Sequence, residues 1–200
     1  MAIATAPTTI EDSYIAQGIT PITGVDEAGR GALAGPVVAC AVVLPTGLVI
    51  DGVNDSKKLS GKRRTELAAS IKAQAIAYSF GIVDVAEIDE INILQAALLA
   101  MKIAVEGLPA TPAIALIDGN KLPQSLSCQA YAITQGDSKS HLIAAASILA
   151  KVERDTIMLA LHEKFPQYNF DKHKGYGTAA HRAAVKIHGQ SVHHRKTFNM

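Results

Sequence analysis

The sequence predicts an α/β fold in which a mixed sheet is layered with helices, and three observations carry that expectation. Two β-branched runs, "ITGVDEA" (residues 22–28) and "PVVACAVVLP" (36–45), follow one another across a glycine-rich turn, as paired strands do. Downstream, short apolar runs alternate with segments of helical character, and strands interleaved with helices imply layers around a sheet. The chain has 200 residues, 48% of them hydrophobic and 18% charged. That is a globular composition, large enough to bury a sizeable core.

Each later element has its own signal. Ser60 can cap a basic helix running to about residue 75, and "IAYSFGIV" then alternates as a strand. Asp84 with Glu87 offers a capping-box-like start to one long helix that ends near "EGLP". "AIALIDG" (113–119) is an apolar strand stopping at an aspartate, and "CQAYAIT" (128–134) stops just before "QGDSKS". An alanine-rich helix over about 140–164 follows. "FPQYNFDKHKGYGT" reads as an irregular loop, and 178–188 as a short helix closed by Gly189. No internal repeat or linker interrupts the chain, so a single domain is expected.

Composition narrows the function classes. No stretch approaches the roughly 20 apolar residues of a membrane span, and the first residues lack the basic region of a secretory signal; a cytoplasmic location is expected. Cys40 and Cys128 both sit in apolar runs and read as core thiols. The net charge is only +1, yet residues 172–200 hold six Lys or Arg, five His and no acid. A second basic cluster comprises Lys57, Lys58, Lys62, Arg63 and Arg64. Such patches are either solvated faces or the footprint of a polyanion.

Four acids stand at strand ends, where open α/β sheets place their sites. Asp26 and Glu27 fall at the end of the first strand, Asp118 at the end of a later one, and Asp137 just before the long helix. Carboxylates brought together resist ionisation unless a cation sits among them, and all-oxygen donors suit Mg²⁺ or Mn²⁺. Two such ions roughly 4 Å apart can activate a water and stabilise a leaving oxygen in phosphodiester cleavage. Neighbouring strand residues point to opposite faces, so joint ligation by Asp26 and Glu27 predicts a bend or bulge there. Asp137 has a rival role as a helix cap.

"GRGALAG" after a strand also fits a dinucleotide-binding turn, with Asp51 about 20 residues on. In that unit the glycines open a helix, whereas here Pro36 and "VVACAVV" announce a strand. Two carboxylates before the turn would also repel a pyrophosphate.

Together "VDEAGRG", "LIDGN", "QGDSKSHLIAAASILAKVERD" and "FPQYNFDKHKGYGT" resemble the ribonuclease HII family, the bacterial type 2 ribonucleases H, in order and spacing over residues 22–198. The resemblance implies an RNase H-like mixed sheet flanked by helices, one catalytic domain over 1–200. A basic C-terminal helical extension from about 165 to 200 would complete the substrate groove. It implies hydrolysis 5′ to ribonucleotides in RNA–DNA hybrids and at single ribonucleotides in duplex DNA, leaving 5′-phosphate and 3′-hydroxyl ends.

By position, Asp26, Glu27, Asp118 and Asp137 match the family's catalytic metal ligands for two Mg²⁺ or Mn²⁺ ions. Gly29, Arg30 and Gly31 match the turn that reads the ribonucleotide. Glycines let main-chain groups approach the 2′-hydroxyl, which separates RNA from DNA. Arg30 can fork a phosphate or pair with a neighbouring acid. Tyr176 matches the tyrosine that packs against the adjoining sugar. Lys57, Lys58, Lys174, His193, His194, Arg195 and Lys196 are expected to hold duplex phosphates. A monomer without a sliding-clamp motif is expected. The histidines lack the spacing of a zinc finger. A hybrid-binding module without chemistry is the competing class, though it gives the four acids no task.

Overall fold

The sheet starts from a hairpin. The computed structural model describes residues 4–199, and a short helix α1 (Thr9–Ile15) precedes β1 (Ile22–Ala28) and β2 (Val37–Val43). α2 (Gly61–Gln74), β3 (Ala77–Val83), α3 (Val85–Ile91) and α4 (Ile93–Glu106) follow. β4 (Ile114–Asp118), β5 (Gln129–Ile133), α5 (His141–Lys164), α6 (Phe170–His173) and α7 (Ala179–His188) complete the order.

The five strands lie in the order β3-β2-β1-β4-β5. β1 pairs antiparallel with β2, and β2 with β3, while β1–β4 and β4–β5 are parallel. The sheet is mixed, as the sequence predicts. Because side chains alternate across a strand, each strand feeds two cores. Cys40, Val42, Ile114 and Leu116 pack with α2 and α5 on one face. Val25, Ala39, Ala41, Ala115 and Ile117 pack against α4 on the other. Among the described residues no helix is long and apolar enough to cross a membrane.

α5 lies directly on β1. A Cβ at Gly24 would stand 2.2 Å from the Leu142 carbonyl carbon, so only glycine permits the start of α5 to sit so close to the strand. Ser60 caps α2 by accepting from Arg63 N, and Ser140 caps α5 by accepting from Ile143 N.

Several expectations need correction. The single long helix after β3 is two helices, broken at Asn92, whose φ of 68° is left-handed and whose side chain caps α4. Asp84 accepts only from Val85 N, so α3 starts without a full capping box. The loop after α5 contains a 3₁₀ turn (Pro166–Tyr168) and α6. No bulge interrupts β1, because its pairing with β2 runs unbroken from Gly24↔Val42 to Ala28↔Val38. The glycine turn leads into β2, which removes the dinucleotide-binding reading.

Candidate active site

β1 outruns β4. Their ladder stops at Val25↔Ile117, one residue short of Asp26 and Asp118. Asp26 and Glu27 therefore leave opposite faces of an unbulged strand at the point where β4 ends. One carboxylate oxygen from each of Asp26, Glu27 and Asp118 falls within 4.8 Å of the others. The ladder's end brings together what a bulge was expected to supply.

Two of the acids are held by main-chain N–H groups. Asp26 Oδ1 accepts from Glu27 N at 2.7 Å, and Asp118 Oδ1 accepts from Gly136 N at 2.7 Å. The second bond ties the end of β4 to the 3₁₀ turn Gly136–Ser138, which carries Asp137. Asp137 does not cap α5; Ser140 does. Asp137 lies outside the tight trio, but its charge is felt together with that of Asp118. Its Oδ2 pairs with Lys57 Nζ at 3.3 Å.

The electrostatics of the trio suit a bound cation. Burial, then repulsion from Glu27 and Asp118, holds the Asp26 carboxyl well above its ordinary range. Burial also raises Glu27, against the opposing pull of Arg30. Asp137 is raised by burial and by Asp55, with Lys57 acting the other way. A hard divalent ion among oxygen-only donors would relieve this repulsion, so the three clustered acids, with Asp137 beside them, could hold one.

The glycine turn closes over this site from the side. Gly29 has φ of 101°, and a Cβ there would stand 2.1 Å from Arg154 Nε. Its glycine is needed for packing. A Cβ at Gly31 would meet nothing within 4 Å, so its space opens outward. Arg30 Nη1 contacts Glu27 Oε1 at 3.2 Å while its side chain stays about half exposed. The pairing with a neighbouring acid is thus realised in this state.

Two β-bridges pin the turn, Ala32↔Tyr176 and Ala34↔His194. Arg154, fully buried on α5, donates to the carbonyls of Pro36, Lys174 and Ala34 at 2.9, 2.9 and 3.0 Å. The half-buried Tyr176 ring sits beside the guanidinium of Arg154 and the ammonium of Lys151. Nothing in the sequence analysis singled out Arg154. Its only signal was its place in "KVERD", a charged stretch that directly follows the alanine-rich, buried first half of α5.

The basic residues divide by burial. Lys57, Lys58 and Lys196 are exposed, and Lys174 and His193 are half-buried. Arg195 and His194, expected on phosphates, are instead buried. Arg195 donates to Gly35 O through two nitrogens and to Arg30 O through the third. His194 Nδ1 accepts from Ser191 N at 2.9 Å, which leaves its proton on Nε2, 3.1 Å from His181 Nε2. His181 must then carry its proton on Nδ1, which donates to Tyr176 O. A run of basic residues could not show that these two face inward, because burial depends on contacts with residues some 160 positions away. A small recess beside the trio is lined by Glu27, Arg30, Asp118, Asn120 and Lys121. Asn120 and Lys121 follow "LIDG" and were not singled out from the sequence.

The comparisons with known proteins meet this geometry. The pattern of the Ribonuclease HII family matches residues 23–199. The chain belongs to the ribonuclease HII family. A ribonuclease HII of Delftia acidovorans is 56% identical over 177 residues, covering 88% of this chain and 75% of its own length. The ribonuclease H2 of Pyrococcus horikoshii OT3 superposes with a TM-score of 0.71 at 25% identity, over 89% of this chain and 93% of its own. The RNase HII of Archaeoglobus fulgidus, solved in a complex with PCNA, gives 0.72 at 29% identity, over 90% and 96%. Membership of ribonuclease HII makes the protein an RNase H endonuclease that acts on nucleic acid, and its acidic cluster points to use of a divalent metal.

Proposed function

We propose that the protein cleaves 5′ to ribonucleotides, in RNA–DNA hybrids and at single ribonucleotides within duplex DNA, leaving 5′-phosphate and 3′-hydroxyl ends. In this reading it works as a cytoplasmic monomer. The carrying observation is the convergence of Asp26, Glu27 and Asp118 oxygens beside a turn whose Gly31 is open on its outer side.

Asp26, Glu27, Asp118 and Asp137 hold the metal, Mg²⁺ or Mn²⁺. Two bound ions would supply Lewis acidity, making a nucleophile from water and stabilising the leaving oxygen. The chain's own residues do the rest. The main chain at Gly29 and Gly31 lies against the 2′-hydroxyl, so selectivity sits beside the reacting phosphate. Arg30, half exposed, exchanges Glu27 for a phosphate oxygen. Tyr176 packs on the neighbouring sugar, held by the Ala32 bridge. Lys57, Lys58 and Lys174 contact duplex phosphates, and residues from about 165 onward form one wall of the groove. Arg195 and His194 serve by fixing the glycine turn.

The test is a labelled duplex with one embedded ribonucleotide, incubated with Mg²⁺ or Mn²⁺. Cleavage 5′ to the ribonucleotide, lost in Asp26→Asn and absent from an all-DNA duplex, is expected. Tight hybrid binding without cleavage under both metals would favour the binding-module reading.

A further inference from the structure

The last described residues strap the glycine turn to α3. Arg195 holds the turn by its own N–H, which donates to Leu33 O at 2.9 Å, and by its guanidinium, which donates to Gly35 O at 2.8 and 3.0 Å and to Arg30 O at 3.0 Å. The Arg30 carbonyl and the Gly31 N–H belong to one planar peptide unit. A donor fixed on Arg30 O therefore also fixes the direction in which the Gly31 N–H points.

Directly after Arg195 the chain reverses, with Phe198 N donating to Arg195 O at 3.2 Å. Asp89 grips the two residues at the bend. Its Oδ2 accepts from Lys196 N at 3.0 Å, and its Oδ1 accepts from Thr197 N at 3.1 Å and from Thr197 Oγ1 at 2.8 Å. The half-buried acid thus takes both N–H groups of the bend as charge-assisted bonds. Its base is firm, because the preceding Ile88 on α3 is wholly buried in the core shared with α4. Phe198 packs against the same core and lays its ring 5.0 Å from the Arg195 guanidinium carbon.

We propose that Asp89 is a positioning residue of the glycine turn, which by holding Lys196 and Thr197 keeps the Arg195 guanidinium on Arg30 O and so orients the Gly31 N–H. No slack lies between the two grips, because Arg195 and Lys196 are neighbours in the chain. Without the Asp89 carboxylate the bend loses all three of these bonds to α3. The turn then hangs on an arginine that can move with it, and the Arg30–Gly31 peptide samples several directions. The kinetic consequence rests on the reading that this main chain lies against the ribose; the mechanical link from α3 to the turn does not.

The experiment compares the full-length wild type with Asp89→Ala by amide hydrogen exchange, followed by NMR, and by steady-state cleavage of a duplex with one embedded ribonucleotide in Mg²⁺. The Gly35 amide donates to His193 O at 2.9 Å. In Asp89→Ala it should exchange at least roughly tenfold faster, while amides of the β1–β2 ladder keep their wild-type rates. KM should rise roughly fivefold with kcat little changed. In an Arg195→Lys background the same substitution should raise KM less than about twofold, because both residues act on one peptide. Thr197→Val removes one of the three bonds and should shift Gly35 exchange in the same direction by a smaller factor, which keeps the test decisive if Asp89→Ala does not fold. Unchanged Gly35 exchange, acceleration shared by the whole ladder with Vmax falling at constant KM, or additive KM effects in the double variant would each overturn the proposal. Faster Gly35 exchange at unchanged KM would uphold the link from Asp89 to the turn and overturn instead the reading that the turn touches the ribose.

Discussion

The guanidinium carbon of Arg154 lies 5.3 Å from the centre of the Tyr176 ring, while its nitrogens bind three carbonyls on either side of that ring's loop. One side chain on α5 therefore joins the glycine turn to the segment that carries Tyr176. The arrangement makes the stability of the fold and the position of the proposed sugar-packing ring depend on the same residue.

Arg154→Met should destabilise the protein by about 3 kcal/mol, because three buried carbonyls lose their donor together. A shift of the urea midpoint measures it. Tyr176→Ala keeps those three bonds and should cost about 1 kcal/mol or less. It should instead lower cleavage at a single embedded ribonucleotide about tenfold, with Tyr176→Phe retaining most activity. Equal urea shifts for the Met and Ala variants would separate Arg154 from the role given to it.

Gly29 and Gly31 should respond differently to the same change. Gly29→Ala drives a Cβ into Arg154 at a φ of 101°, and about 3 kcal/mol of destabilisation is expected. Gly31→Ala meets nothing in the free protein and should leave the urea midpoint almost unmoved. Its effect belongs in KM for ribonucleotide substrates. A Gly31→Ala protein with unchanged kinetics would place the ribose elsewhere.

Metal-free stability should fall as the pH rises. Asp26 has its folded-state pKa raised by burial and by its acidic neighbours, so the folded state favours the protonated acid. The stability this contributes is complete below the unfolded value of about 4 and is lost as pH climbs through the raised folded value. With EDTA present, urea midpoints from pH 4 upward should decline in the wild type and decline less in Asp26→Asn. Adding Mg²⁺ should restore the wild type above the acid range. A flat wild-type profile in EDTA would count against repulsion among the acids.

The histidine pair has the opposite sign. Burial, then the neighbouring His181, lowers His194 from 6.5 to about 4, so the folded state favours the neutral ring. That contribution is present above pH 6.5 and is lost as the pH falls towards 4. Protonating His181 Nε2 would also set two N–H donors face to face across 3.1 Å. His194→Gln should flatten the urea midpoint between pH 6.5 and 4, at some cost in stability at pH 7. A parallel curve for the variant would remove the pair from this role.

The amino-acid order alone determined the strand order along the chain, most helix ends and the position of four acids beside strand and helix ends, because those signals are local. Ser60, Ser140, Thr178 and Gly189 stand where caps belong, and β-branched, alternating or short apolar runs mark β1 to β5. Two local signals misled. The helix opened by Asp84 and Glu87 read as one element running past Asn92, where the side chain instead caps α4, and Asp137 resembled a cap that Ser140 supplies.

Tertiary structure decided which polar groups face solvent and which serve the interior. Arg195 and Lys196 are adjacent residues of the same basic run, yet Arg195 is buried on Gly35 and Arg30 while Lys196 is exposed. Glu11 meets Ser140 across 129 positions, and Arg154 reaches Ala34 across 120. No periodicity records such contacts, because side-chain alternation reports only the face on which a residue lies. The convergence of Asp26, Glu27 and Asp118 was equally non-local: it depends on β1 and β4 pairing in a register that ends one residue before the acids, and only the folded sheet sets that register.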